Sequence, residues 1–524
     1  MTAALPRVTY SNLQIDLAPI HAEFDARLPE FERQVLGGRH GAIVGDDRNL
    51  MDGTPLSVAS PIDRDLLIGT FSSASPAVID KAVNTAAAAA PAWAACSLQD
   101  RVALLNKFAR VMSERRFDLA FASLFEVGKS RIEAIGEAEE SVDLPEYYAA
   151  EMERTGGYFH PLARVRKEES TESRLLPFGV FAVIAPFNFP IALVVNMISG
   201  ALVTGNTVVL KPAVGCGLSG RMIVQAALDA GMPTGVINLV LGSTDVGSAL
   251  VRHPLVAGVA FTGSHRVGME IARSAMAGDY AKPVIAEMGG KNPAYVTASA
   301  DLDTAAQGVA RSAFGLQGQK CSACSVAYVD EIVADKFLDK LRTFTASLKI
   351  GDPRKADTFM GSVQEQATID RFKSSVEVAR KEGEVLHGGR QLTQDFYGKG
   401  FFVEPTIVSL PRESSLTREE LFMPFVAVRR VSSLAAALKE GNAVRYGLSA
   451  GVYATDQKDL DYFLNTVQAG VVYANRASGA TTGAWPGIQS FCGWKGSGVS
   501  HKGGLGPHFL PQFMREQSRT IIAG

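Results

Sequence analysis

Between residues 178 and 300, short apolar runs alternate with helical segments, and this alternation narrows the choice of fold most. Val180–Ala185, Thr207–Leu210, Val236–Leu241, Val256–Phe261 and Val284–Ala286 have the length and side chains of buried strands. Leu218–Ala230, Asp245–Val251 and Arg266–Ala275 read as helices between them. Such a pattern predicts a parallel sheet wound on both faces. A second set, with Val326–Val329, Phe425–Val431, Gly451–Tyr453 and Val471–Ala474, follows from about 302 to 475. Two α/β units with a cleft between them are expected. The 524 residues suit this division, because single cores stop growing near ~250–300 residues.

The remaining stretches add less. Residues 1–60 read as an extension of short elements, with turn signals at Gly37-Gly38, Gly45-Asp46-Asp47 and Asp52-Gly53. Ser97-Leu98-Gln99-Asp100 is a capping box that opens a helix carrying Val102, Leu105, Phe108 and Met112 at helical spacing. Ala86–Ala90 reads as helix, and Gly493–Gly506 as a loop returning toward the cleft. A net charge of −2 and a pI near 6.5 give no footprint for nucleic acid or an anionic membrane. Five cysteines, an odd number in a long chain, fit a reducing compartment. Met1–Tyr10 has no basic segment leading into an apolar core. The longest apolar run, Phe178–Pro186, is broken by Gly179 and falls well short of the ~20 residues of a membrane span. A cytoplasmic protein without membrane or nucleic-acid partners is expected.

Four windows carry candidate chemistry. Pro186-Phe187-Asn188-Phe189-Pro190 ends a buried strand, where α/β sheets bind ligands, and offers the Asn188 amide; a plain turn asparagine is the alternative. Phe261-Thr262-Gly263-Ser264, with Gly268 beyond, places glycine and a hydroxyl at a helix N-terminus, a site for phosphate or a simple strand–helix turn. It is not G-x-G-x-x-G. Glu287-Met288-Gly289-Gly290-Lys291 puts a carboxylate before a flexible pair, either a general base or a solvated loop acid. Phe314–Ser325 sets Cys321 on a turn rich in Gly, Gln and Lys, whose basic neighbour and amides are expected to lower the thiol pKa and hold an oxyanion. Cys321-Ser322-Ala323-Cys324 also matches C-x-x-C, a redox pair or half a zinc site, but no second Cys or His pair stands at ligand spacing. No metal is expected.

Asn188, Thr262-Gly263-Ser264, Glu287-Met288-Gly289-Gly290-Lys291 and Gly318-Gln319-Lys320-Cys321, in that order, resemble the aldehyde dehydrogenase superfamily. The match continues through Glu419-Glu420-Leu421-Phe422-Met423-Pro424 and covers about 60 to 520. The resemblance implies a Rossmann-like cofactor domain with an N-terminal extension (1–288, including part of an oligomerising arm near 155–178), an α/β catalytic domain (289–475), and a substrate-anchor loop with a C-terminal oligomerising segment (476–524). It implies a homodimer or larger homo-oligomer acting on a small aldehyde. Cys321 would attack the aldehyde, the Asn188 amide and the Cys321 N–H would stabilise the oxyanion, and Glu287 would activate the hydrolytic water. A base at 287 argues against acyl transfer to coenzyme A. NAD is the implied cofactor, held by Lys211, Gly242, Gly263, Ser264, Gly268, Glu420 and Phe422. Val214 stands where NAD-preferring members often carry Glu, so NADP is admitted as well.

Within the superfamily the resemblance is closest to the 1-pyrroline-5-carboxylate dehydrogenase branch, which oxidises glutamate semialdehyde in proline metabolism. Phe125–Lys129, Glu146-Tyr147-Tyr148, Phe314–Ser322, Thr482-Gly483-Ala484 and Phe491 carry it. It implies that Ser322, Gly483 and Ala484 hold the substrate α-carboxylate, an amide-rich turn supplying partial positive charge, while Phe189 and Phe491 sandwich its chain. Met423 and Phe187 replace the usual Gly and Trp; Ala477–Thr481 lengthens the anchor loop, and Trp485 and Trp494 add bulk. An aromatic or longer aldehyde is therefore the competing substrate, and a non-catalytic scaffold relative the competing class.

Overall fold

A computed structural model of the chain describes residues 6–9, 15–478 and 484–522. All five apolar runs of the first set are strands of one parallel sheet: Val180–Ile184, Thr207–Lys211, Ile237–Leu239, Val256–Thr262 and Val284–Glu287. Their side chains are buried on both faces, as expected of strands covered by helices on each side. Across the sheet the order is Val284–Glu287, Val256–Thr262, Val180–Ile184, Thr207–Lys211, Ile237–Leu239, then the antiparallel strands Ala42–Val44 and Asp47–Leu50. The chain thus winds outward from Val180–Ile184 in one direction and returns on its other side. That reversal opens a crevice past the carboxyl ends of Val180–Ile184 and Val256–Thr262.

The second sheet runs Glu384–His387, Thr406–Ser409, Phe425–Val431, Cys324–Asp330, Asn292–Val296, Ser449–Tyr453, Val471–Ala474, parallel except at its first pair. A third, three-stranded antiparallel sheet joins Met514–Ile522 to Glu169–Pro177, which pairs in turn with Phe159–Pro161. Ile521 and Ile522 on it are exposed.

Helix Leu98–Glu114 begins as expected: the Ser97 hydroxyl accepts the Asp100 N–H at 3.1 Å, and Val102, Leu105, Phe108 and Met112 are buried. The N-terminal reading needs correction. Instead of short elements alone, Ala18–Gln34 forms a helix of 17 residues with Ile20, Phe24, Leu28 and Phe31 buried. Pro29 inside it obscures the pattern, yet the apolar stripe recurs every three to four residues and the Phe24 ring meets Phe121 edge-on at 4.7 Å.

Candidate active site

The cysteine turn is built from left-handed backbone. Leu316 and Gln317 have φ of 48° and 56°, sparsely populated for residues with side chains, and Gly318 follows at 66°. Surrounding groups hold this strain. Gln317 Nε2 donates to the Gly128 carbonyl at 2.9 Å, and Gln319 Oε1 accepts the Gln364 N–H at 3.0 Å. Asn292 Nδ2 donates to the Cys321 carbonyl at 2.7 Å and to Ala323 at 2.9 Å. Gly290 lies so near the Cys321 carbonyl that a Cβ there would stand 2.5 Å from it. Cys321 is therefore presented by helix Leu302–Phe314 on one side and strand Cys324–Asp330 on the other, with little freedom. Cys324 is buried in that strand, its sulfur facing the Val326 carbonyl, and both thiols are free. Cys324 belongs to the sheet core rather than to a redox pair.

Cys321 lines a cavity of about 280 Å³ together with Glu287, Ser322, Phe189, Ala484 and Phe491. Ser322 is 1% exposed and Ala484 7%, so both form the wall rather than the mouth. The Phe189 ring is held by the Lys129 ammonium, 4.1 Å from its centroid, and Lys129 is itself buried in an ion pair with Glu137. The second Glu137 oxygen accepts the Ile191 and Ala192 N–H groups at 2.9 and 3.1 Å, fixing the start of helix Ala192–Val203. Gly483 and Thr482 lie outside the described residues. Trp485 and Trp494 do not line the cavity: Trp485 donates its indole N–H to Asp143 at 2.7 Å, and Trp494 is exposed.

Asn188 is 2% exposed and not part of the cavity lining; its Nδ2 donates to the Gln319 carbonyl at 3.0 Å, two residues before the thiol. That bond uses one of its two amide N–H donors. Glu287 ends strand Val284–Glu287, and its Oε2 accepts the Gly493 N–H at 3.1 Å. The Gly-rich tail does return to the cleft: Val499 N–H donates to the Ala286 carbonyl and Met288 N–H to Ser497. With one hydrogen bond against heavy burial, the Glu287 carboxyl is pushed well above the ordinary carboxylate range.

The expected lowering of the Cys321 thiol is reversed. Burial, then the carboxylates of Glu420 and Glu287, push it up to about 12, outweighing the Cys321 and Ser322 N–H groups. The basic neighbour does not help, because Lys320 pairs with Glu133 at 2.7 Å while Glu133 also accepts the Leu316 N–H at 3.0 Å. Glu133 escaped the sequence reading, since nothing local links it to a residue 187 positions away. Arg311, also in the cavity wall, escaped it for lack of any motif.

Of the residues expected to hold a cofactor, Lys211, Gly263 and Ser264 stand at or just past the ends of Thr207–Lys211 and Val256–Thr262. Lys211 is 6% exposed and donates to the Pro212 and Gly242 carbonyls at 2.8 and 3.0 Å, with Gly242 at φ 143°. Burial lowers its ammonium to about 8. Ser264 caps helix His265–Ala275, accepting the Val267 N–H at 3.4 Å, and Gly268 lets that helix approach Met288. A Cβ on Gly263 would meet the Phe261 ring at 2.5 Å. Glu420 accepts the Gly290 N–H at 3.0 Å, and burial raises its carboxyl to about 7. Phe422, at φ 56°, sets its ring edge-on to Phe187 at 5.8 Å. An ammonium with a third N–H to spare, a capped helix N-terminus and a carboxylate fit the ribose hydroxyls and pyrophosphate of a dinucleotide. Val214 is exposed, and no carboxylate stands at its position to oppose a 2′-phosphate. Met423 is buried away from the cavity.

Comparison with known proteins gives the family. A 1-pyrroline-5-carboxylate dehydrogenase from Geobacillus sp. (strain WCH70) is 34% identical over 504 residues, 95% of each chain. A crystal structure of 1-pyrroline-5-carboxylate dehydrogenase from Thermus with bound NAD superposes at a TM-score of 0.92 and 31% identity, covering 100% of both chains. Proline utilization A from Bdellovibrio bacteriovorus superposes at 0.90 and 33% identity over 96% of this chain, which spans 52% of that protein's length. Residues 50–518 match the family described as "Aldehyde dehydrogenase family", and with 34% identity sustained over 95% of its length the chain belongs to that family.

Proposed function

We propose that this protein oxidises L-glutamate 5-semialdehyde to L-glutamate with NAD as hydride acceptor, NADP being the alternative dinucleotide. The observation that carries the proposal is the set Cys321, Glu287, Ser322, Phe189 and Phe491 around a single cavity. The relatives' names supply the substrate, and the cavity suits it: two aromatic rings for a methylene chain, with polar groups for its ends. The absence of Trp485 and Trp494 from the lining removes the bulk that favoured an aromatic aldehyde.

Cys321 gives up its proton to solvent water and attacks the aldehyde carbon, forming a C–S bond as the C=O π pair moves onto the oxygen. The Cys321 backbone N–H would donate to that oxygen, joined by the second N–H of the Asn188 amide, which stands behind the cavity wall on the Gln319 carbonyl and would have to turn to it. Lys211, Gly242, Gly263, Ser264, Gly268, Glu420 and Phe422 would hold the dinucleotide, whose nicotinamide would supply a two-electron hydride acceptor. Loss of hydride from the thiohemiacetal carbon leaves a thioester on Cys321. Glu287 takes a proton from water, whose oxygen adds to the thioester carbon; the C–S bond breaks and the carboxylate departs. The burial that raises the Glu287 carboxyl also makes its ionised form a stronger base toward water. Ser322, Ala484 and Gly483 hold the α-carboxylate.

Three further readings accompany this one. The cofactor domain spans 1–288, the catalytic domain 289–475 and the anchor and oligomerising segment 476–524. The sheet of Phe159–Pro161, Glu169–Pro177 and Met514–Ile522, with exposed Ile521 and Ile522, is the surface through which a homodimer or larger assembly forms. The compartment is cytoplasmic; among the described residues no helix is long and apolar enough to cross a membrane.

Steady-state oxidation of glutamate semialdehyde, hexanal and benzaldehyde, followed by reduced-cofactor absorbance, tests the assignment. The largest kcat/KM is expected for glutamate semialdehyde, with none in Cys321→Ala. A preference for benzaldehyde, or full turnover by the alanine variant, overturns it.

A further inference from the structure

Several charges face the cavity, and most have partners. Lys320 is paired with Glu133 at 2.7 Å, and Glu287 accepts the Gly493 N–H at 3.1 Å. Arg311 differs. It projects from helix Leu302–Phe314 one turn before Gly315, and both residues line the cavity. Among the described residues its guanidinium forms no ion pair and no hydrogen bond, and its Nε is buried without a partner. Burial lowers its pKa with no neighbouring carboxylate to offset the effect.

A guanidinium does not shed its proton inside a protein, so the charge persists whatever the desolvation. Leaving a buried donor unsatisfied costs about 1–3 kcal/mol, and more when the group is charged. Such a cost is tolerated where a ligand cancels it. The guanidinium presents parallel N–H groups that match the two oxygens of a carboxylate, and the bidentate pair is stronger than bonds from neutral amides.

Deepening the function proposed above, and resting on it for the identity of the aldehyde, we infer that Arg311 binds the carboxylate of an anionic aldehyde in this cavity and sets the preference for charged over uncharged substrates. The Ser322 hydroxyl supplies a dipole; Arg311 supplies the full charge. An uncharged aldehyde of equal length leaves that charge unpaired and is discriminated against on binding.

The test compares the full-length wild type with Arg311→Gln and Arg311→Lys. Three aldehydes are used: glutamate semialdehyde, succinic semialdehyde and propanal. Glutarate is added as a dead-end carboxylate probe, and thermal unfolding monitors the fold. In the glutamine variant the ratio of kcat/KM for each carboxylated aldehyde over propanal is expected to fall about 10- to 100-fold, through KM. The glutarate inhibition constant rises by a similar factor, and lysine restores part of both. An equal loss on all three aldehydes, or an unchanged ratio, overturns the inference. If succinic semialdehyde is preferred and that preference collapses in Arg311→Gln, the Arg311 assignment stands while glutamate semialdehyde as substrate fails. If the wild type ignores the carboxylate and glutarate does not inhibit, both fail.

Discussion

At a thiol pKa of about 12 instead of the ordinary 9.0, Cys321 carries about 1,000-fold less thiolate at neutral pH. A more basic thiolate is also more nucleophilic, by about 20-fold over that interval at a Brønsted slope of ~0.4–0.5. Without cofactor, alkylation of Cys321 by iodoacetamide is therefore expected to be about 50-fold slower than that of a free cysteine. Glu420→Gln probes the cause. Burial is the largest contribution and survives the substitution, whereas the Glu420 charge is the first of the carboxylates raising the thiol. That carboxyl titrates at about 7, so it is ionised at pH 8.5 and neutral at pH 5.5. Removing it should speed alkylation by up to about threefold at the higher pH, one decade in thiolate less the roughly threefold loss of nucleophilicity, and hardly at all at the lower. Rates read from the Cys321 peptide by mass spectrometry across this range decide the matter. Wild-type Cys321 reacting as fast as a free thiol, or a Glu420→Gln effect independent of pH, would refute the reasoning.

Glu287→Gln should release about one equivalent of reduced cofactor per site and then stall, with kcat down ~10²- to 10⁴-fold; rapid-mixing absorbance checks this, and undiminished steady turnover contradicts it. Lys211 is charged below about pH 8 and loses its charge above; if it stands at the adenine ribose its charge also attracts a 2′-phosphate, so the KM for NADP relative to NAD should rise as pH passes from 7 to 9, and a flat ratio would show that the ammonium does not reach that group. Gly308→Ala places a Cβ against the Tyr453 hydroxyl and the Arg476 carbonyl, which are joined by a 2.9 Å hydrogen bond. A loss of about 2–3 kcal/mol is expected in denaturant unfolding, and an unchanged midpoint would show that the helix shifts freely.

The five parallel strands of the cofactor sheet were legible because a strand buried on both faces must be apolar throughout, and Val180–Ile184 or Val256–Thr262 need no distant partner to announce that; Ala42–Val44 and Asp47–Leu50, which extend its edge, were not. The windows at Asn188, Ser264 and Glu287 were legible because each lies at or just past the end of such a strand, and that at Cys321 because it follows a periodic helix. The helix Ala18–Gln34 was not, its four apolar contacts being diluted by charges and interrupted by Pro29. The thiol was misjudged for a different reason: Lys320 reads as a cation beside Cys321 until Glu133 is folded against it.

The order of residues alone determined that two parallel α/β units would form and which side chains would stand at their strand ends, since periodicity and turn chemistry are local. Only the tertiary structure decided the electrostatics: Glu287 turned onto the Gly493 amide, Lys320 neutralised, Cys321 held protonated and Arg311 left facing the cavity unpaired. Charge depends on what surrounds it, and those surroundings come from residues far apart in the chain.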